Sequence, residues 1–303
     1  MNNKIISVIL LALLFSNPFE QLNIDFLKKK KEISSADKIK GQNKKNELPQ
    51  YNDVIQSYVK IEGLFDFYWD YESNKVLISI SPEQFENTYL ANMTRESGDA
   101  YYYDSSTMLN EFPFQFKRVA NNVHFLHINV LFRADNNKAI SKAIKNDFSH
   151  SIISKGKILS QSHKETGAIL VNANELFLRD IGYVSQHAQG RYIFDIKSSY
   201  FLDIKSFHSN TEIEISSHYK SNKWTNAYTL PNSRSMEIKY HISLSMLPYN
   251  DFTPRIADDR VGYFSTIYQD YSNTLQETQY VRYINRWNLK KKYPTLPLSE
   301  PEK

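Results

Sequence analysis

The stretch SMEIKYHISLSML, Ser235 to Leu247, alternates without a break. Met236, Ile238, Tyr240, Ile242, Leu244 and Met246 are apolar, while Glu237, Lys239, His241, Ser243 and Ser245 are polar. Successive side chains of an extended chain point to opposite faces, so this run predicts one long strand with an apolar and a solvated face. A strand of that length needs antiparallel neighbours and a layer against its apolar side. The neighbours are legible. GLFDFYWD (Gly63 to Asp70) and KVLISI (Lys75 to Ile80) flank a polar turn at Glu72 to Asn74 and predict a hairpin. FPFQFKRV (Phe112 to Val119) and NVHFLHINVLF (Asn122 to Phe132) predict a second, turning at Ala120 to Asn122. Tyr89 to Met93, RYIFDI (Arg191 to Ile196) and TEIEISSHYK (Thr211 to Lys220) are further strand candidates, and Thr94 to Leu109 reads as a long loop.

The composition agrees: 21 Tyr and 18 Phe against 8 Gly suit the half-buried surface of a sheet. Two segments break the strand pattern. From Asn136 to Phe148, Ala139, Ile140, Ala143, Ile144 and Phe148 line one stripe of a short helix. GAILVNANELFLRD (Gly167 to Asp180) predicts a buried strand that runs into a helical turn. The expected fold is therefore a β-rich α+β protein, mostly antiparallel curved sheets or a sandwich, with one or two short helices. No repeat of 20 to 50 residues is visible, which counts against a propeller or solenoid.

Both ends differ from the middle. Ile5 to Phe15 (IISVILLALLF) is an apolar run behind Lys4, the layout of a secretory signal, and is shorter than the ~20 residues of a membrane span; an uncleaved anchor is the alternative, since no clean small-x-small cleavage site follows. Leu27 to Gln50 is lysine-rich and nearly free of large apolar side chains, so it reads as a flexible basic linker. The expected organisation is a signal at 1–19, a linker at 20–50, a short β-hairpin unit at 51–84, a main β-rich domain at 85–287 and a proline-containing linker at 288–303. The net charge of +4 is too small to be a nucleic-acid footprint. With no cysteine, the chain has no disulfide, thiolate metal site or cysteine nucleophile.

The search for chemistry narrows to one region. None of the eight histidines belongs to an H-E-x-x-H pair, and no G-x-S-x-G elbow or Walker loop is present. His124 and His127, three apart on a strand, should face opposite ways. PRIADDRVGYFSTIYQDY (Pro254 to Tyr271) is the strongest charged cluster. There Arg255, Asp258, Asp259 and Arg260 predict an ion-pair network at a turn, and adjacent Asp258 and Asp259 could in principle share a proton or hold a cation. No partner base or nucleophile accompanies them, so no catalytic residue and no metal ligand is assigned. Gly262, Tyr263 and Phe264 lead into a further strand. ETQYVRYINRW (Glu277 to Trp287) then adds Arg282, Tyr283, Arg286 and Trp287. Arginine and tryptophan suit a docking surface. A strand and exit helix packed on their own sheet fit the same residues equally well.

These segments carry a resemblance. PRIADDRVGYFSTIYQDY followed by TQYVRYINRWNLKKKYP resembles the end of the N-terminal region of a family of large exported bacterial zinc-dependent metalloproteases, a region described only as domains of unknown function. GLFDFYWDYESNKVLISI, LFRADNNKAISKAIKNDFSHSI and GAILVNANELFLRD resemble earlier parts of that region, so the likeness runs from about Tyr51 to Pro294. The family's H-E-x-x-H-x-x-G-x-x-H zinc motif has no counterpart here, so zinc is expected in a separate catalytic domain and no cofactor in this chain. The resemblance implies a non-catalytic accessory module whose partner is that catalytic domain, in cis or in trans, in an exported setting: periplasmic, outer-membrane associated or secreted. A peptide or protein substrate is compatible with it, and nucleic acid is not expected. The alternative is a free-standing exported peptide- or glycan-binding protein that uses Tyr101 to Tyr103 and Trp224 as an aromatic platform.

Overall fold

The computed structural model describes residues 47–102, 108–272, 279–290 and 293. The expected signal segment, the linker before Glu47, Tyr103 and most of the proline-containing tail lie outside them. In chain order the first half forms α1 (Tyr51–Val54), β1 (Val59–Ile61), β2 (Asp66–Asp70), β3 (Lys75–Ile80), β4 (Tyr89–Ser97), β5 (Met108–Val119), β6 (Asn122–His127), β7 (Phe132–Arg133), α2 (Ile140–Asp147) and β8 (Ser151–Lys157). The second half forms β9 (Ile169–Asn172), α3 (Ala173–Phe177), α4 (Val184–His187), β10 (Ile193–Phe194), β11 (Tyr200–Ser206), β12 (Asn210–Lys220), β13 (Ser235–Met246), β14 (Ser265–Asp270) and β15 (Gln279–Ile284). The protein is β-rich, as the composition and patterning predict: the described residues are 43% strand and 10% helix, with four short α-helices where one or two were expected.

β13 is the continuous strand that its alternation demands. Met236, Ile238, Tyr240, Ile242 and Leu244 are buried and the residues between them are not. Met246, at the strand's end, has left the core and is exposed. β13 lies between β12 and β4 in an eight-stranded sheet ordered β10-β12-β13-β4-β5-β6-β8, and β11 shares the β12 edge with β10. All its pairings are antiparallel, and the sheet curls into a half-barrel. The hairpin at Ala120 forms as predicted, with Ala120 at φ 51° in the turn. β4 runs on to Ser97 and β5 starts at Met108, so the expected loop between them is shorter than Thr94 to Leu109.

A second, four-stranded sheet is ordered β1-β2-β3-β9. Its first hairpin is the predicted one, with Asn74 at φ 50° in the turn, and β9 joins from far along the chain. Aromatic rings fill the space between the two sheets. Phe65 meets Phe116 edge-on at 5.4 Å, Phe114 meets Phe125 at 4.9 Å, and Phe177 of α3 closes on Phe125 at 5.8 Å and Phe67 at 6.3 Å. All six are at most 1% exposed, and such offset and edge contacts add to the large area each ring buries. Polar ties fix the register of the layers. Asn74 Nδ2 donates to the Phe201 carbonyl and its Oδ1 accepts from the Phe201 N–H, both at 3.0 Å. At Gly63 the chain passes so close to β11 that a Cβ would lie 2.3 Å from Ser206 Oγ and 2.6 Å from the Phe207 nitrogen.

Inside the half-barrel, the Tyr219 hydroxyl donates to Asp180 Oδ1 at 2.9 Å, and the Tyr240 hydroxyl donates to the Arg179 carbonyl at 3.2 Å. Asp180 also accepts from the N–H groups of Val184 and Ser185 at the start of α4. Burial first, then the Tyr240 and Asp180 oxygens, pushes the Tyr219 phenol far above its usual range. The third sheet is small: β15 pairs antiparallel with β14, and β14 pairs parallel with β7. No helix among the described residues is long and apolar enough to cross a membrane.

Candidate functional site

The charged stretch from Pro254 onward lies along the third sheet. Arg255 to Ala257 runs beside β15: the Ile284 N–H donates to the Arg255 carbonyl at 2.9 Å and the Ala257 N–H to the Arg282 carbonyl at 2.8 Å. Residues 258–261 then turn, with the Val261 N–H donating to the Asp258 carbonyl at 3.0 Å. The chain enters β14 at Ser265, and on the other side of the sheet's end the Asn285 N–H closes on the Phe264 carbonyl at 2.8 Å.

The two adjacent aspartates are drawn apart rather than together. Arg260 Nε donates to both carboxylate oxygens of Asp258, at 3.0 and 3.1 Å, Nη2 donates to Oδ2 at 2.5 Å, and the Arg260 N–H adds a fourth bond at 3.0 Å. These donors, the arginine side chain first, lower the Asp258 carboxyl to about 2. Asp259 turns instead to Arg282 on β15. Each carboxylate thus has its own cation, and the shared proton or cation considered from the sequence is not what the geometry provides. Arg255 forms no ion pair among the described residues, and its charge acts on Asp258 only at longer range. Arg286 donates to the Thr253 carbonyl at 2.7 Å and lies over the Phe252 ring at 4.5 Å, while Lys290 pairs with Asp251. Thus the arginines of this region tie the segment before β14 to the one that follows β15.

The apolar members of the stretch find no such partners. Phe264 is 90% exposed, Trp287 83% and Tyr280 71%; Ile256, Tyr263 and Leu289 are exposed as well. Gly262 has nothing within 4 Å of where a Cβ would stand, so this glycine faces open space. Tyr268, Tyr271 and Tyr283 are the partial exceptions, all half-buried: the Tyr283 ring lies 5.9 Å from Tyr268, which Arg133 covers at 3.5 Å, and the Tyr271 ring lies 5.8 Å from Phe148. Among the described side chains from Leu247 to Tyr293, Ile284 alone is buried. The exit helix considered for Glu277 to Trp287 is replaced by strand β15, and the residues after Ile284 are extended and exposed.

Other expected features fall elsewhere. His127 pairs opposite Phe114 and stacks on Phe112 at 4.7 Å, on the inner face, whereas His124 pairs opposite Lys117 on the outer face. Burial lowers the His127 imidazole below its ordinary range. Among the described residues no three His, Cys, Asp or Glu side chains converge on a point. Tyr101 meets Tyr228 edge-on at 5.3 Å, and Trp224 lines a separate recess with Arg191 and Lys223. The exposed Trp224 was the only sequence signal for that recess.

A family model described as a domain of unknown function, DUF5117, matches residues 106–292, which span β5 to β15 and include the whole charged and aromatic stretch. No curated protein and no solved structure matches the chain. With well over half of its length inside that match, the chain belongs to the DUF5117 family of domains of unknown function.

Proposed function

We propose that this chain is a non-catalytic accessory module that docks a separately folded domain on its third sheet. The occupant is the zinc-dependent protease domain that the sequence resemblance implies, joined in cis or met in trans in an exported setting. The observation that supports this reading is the exposure of Phe264, Trp287 and Tyr280 on and beside a sheet where, among the described residues after Leu247, one side chain is buried. Phe264, at the head of β14, and Trp287, three residues past β15, lie at the end of the sheet where the chain also carries Arg282 and Arg286, while Tyr280 lies at the other end of β15. Exposed aromatic and arginine side chains have the composition of an interface core. The rim is already ordered: Asp258 with Arg260 and Asp259 with Arg282 hold the turn in place, so a partner meets a preformed edge. Zinc and the hydrolytic groups belong to the partner in this arrangement, and the module's part is to position that domain and shape its cleft.

The test is a binding titration of the full chain with a recombinant zinc-protease domain taken from a protein of the resembled family that carries both regions. Saturable binding is expected, weakened about tenfold or more by Phe264→Ser with Trp287→Ser and unchanged by Ile152→Ser, an exposed position on β8. Equal binding by the double variant, or none by the wild type, overturns the reading. Casein cleavage by the chain alone that a chelator abolishes overturns its non-catalytic part.

A further inference from the structure

A recess of about 570 Å³ opens between the loop that joins β12 to β13 and the turn before β10. None of its nine lining residues is acidic. Arg191 and Lys223 bring two positive charges, Asn222 and Asn226 two amides, and Ile193 and Trp224 apolar surface. Neither Arg191 nor Lys223 forms an ion pair among the described residues. Trp224 is 70% exposed, and the Arg234 guanidinium lies 4.6 Å from its ring centroid, a third cation at the same place.

The loop that carries these groups is held from below. Buried Tyr192 donates its hydroxyl to the Ser233 carbonyl at 2.6 Å and sits 2.8 Å from Thr225 Oγ1. The Thr225 N–H donates to Ser233 Oγ at 3.1 Å, the Ser221 N–H to the Arg234 carbonyl at 2.8 Å, and Ala227 is fully buried. A tryptophan kept in solvent on an anchored loop is a prepaid binding surface, because little ordering remains to be done when a ligand arrives.

We propose that this recess binds a short acidic saccharide. The flat indole suits the C–H face of a pyranose ring, the two asparagine amides suit its hydroxyls, and the unpaired cations suit a sugar carboxylate. An acidic peptide would satisfy the cations, but the lining offers its side chains little apolar depth beyond Ile193 and Trp224. The volume falls in the range of small-molecule sites, roughly 300–1,000 Å³. This inference stands independently of the docked domain, because it rests on the β10 edge of the large sheet and shares no residue with the third sheet.

The test is calorimetric titration of the full chain with trigalacturonate, maltotriose and a tri-glutamate peptide. Trigalacturonate should bind, more weakly as salt rises. Trp224→Ala, and separately Arg191→Ala with Lys223→Ala, should each weaken it about tenfold or more at an unchanged urea midpoint. Maltotriose should bind at least about tenfold more weakly than trigalacturonate. No trigalacturonate binding by the folded wild type, undiminished binding by both variants, equal binding of maltotriose, or tighter binding of the peptide each overturns the proposal. Phe264→Ser with Trp287→Ser should leave this titration unchanged.

Discussion

The half-barrel and the third sheet are written in the same residues and meet opposite fates. On β5 and β6, Phe114, Phe116 and Phe125 are enclosed; around β14 and β15, Phe264, Tyr280 and Trp287 stand in solvent. Both regions are strands rich in aromatic and β-branched residues. They differ in what covers them. β2, β3 and α3 close over the aromatic face of the half-barrel, while among the described residues β14 and β15 have beside them the two residues of β7 and the short Arg255 to Ala257 segment, with Phe148 after α2 covering the Phe132 and Tyr271 end. Strand propensity makes a sheet, and a second layer makes a core. A sheet that lacks the second layer is a surface suited to another molecule.

The largest test of that contrast is truncation of one ring on each side. Phe125→Ala should cost about 3–5 kcal/mol by urea denaturation, through lost burial and a residual cavity. Phe264→Ala should stay within about 0.5 kcal/mol, because its ring is already in water. Comparable losses at the two positions would break the comparison.

The next test concerns the polar groups sealed inside the half-barrel. Tyr219→Phe removes the donor to Asp180 and should cost about 1–3 kcal/mol. It should also alter the alkaline limb of the stability curve. A phenol whose folded value is raised contributes its full stabilisation below the unfolded value of about 10, and loses it as pH climbs above that. The urea midpoint should therefore fall above pH ~10, and less steeply in Tyr219→Phe, with buried Tyr51 contributing to the decline that remains. A variant with the wild-type slope contradicts this assignment.

A smaller effect is expected at Ser217, whose buried hydroxyl has no hydrogen-bond partner among the described residues. Ser217→Ala should be neutral or stabilising by up to about 1 kcal/mol, read from the same denaturation curves. Asp258 should show the least effect on folding. Its carboxyl should titrate near 2 by NMR, against an unfolded value of about 3.9. Its stabilisation is present above the unfolded value and lost as pH falls toward 2. Asp258→Asn should therefore leave the urea midpoint at neutral pH almost unchanged, since the pair is in solvent. A large drop would place this turn inside a cooperative core.

The strands with one buried face were legible for one reason: burial on one face imposes the period of two. Met236 to Leu244 shows it, as does β5, whereas β2 and β3 are buried on both faces and were legible as apolar runs around a polar turn. β8 and β11 were not legible, because edge positions such as Ile152, Tyr200 and Leu202 are exposed and their apolar residues do not follow the alternation. The pairing of β9 with β3 and of β7 with β14 joins segments far apart in the chain, and no local pattern encodes such a partner. At the site, the Asp258 to Arg260 pair is local and was legible as a turn. The choice of Arg282 by Asp259 depends on β15 running past it, which only the folded sheet supplies. For Trp224 the exposed indole could be suspected, whereas Arg191 and Arg234 gather around it only when β10, β12 and β13 assemble.

The claim that the third sheet is a docking face is tested most directly by residue-resolved hydrogen exchange on the full chain, alone and with the recombinant zinc-protease domain added. On this account, amides of β12 and β13 exchange slowly in both samples, while 255–264 and 279–287 exchange faster alone and slow markedly on addition. Unchanged exchange at the third sheet, or slowing confined to other surfaces, would contradict it.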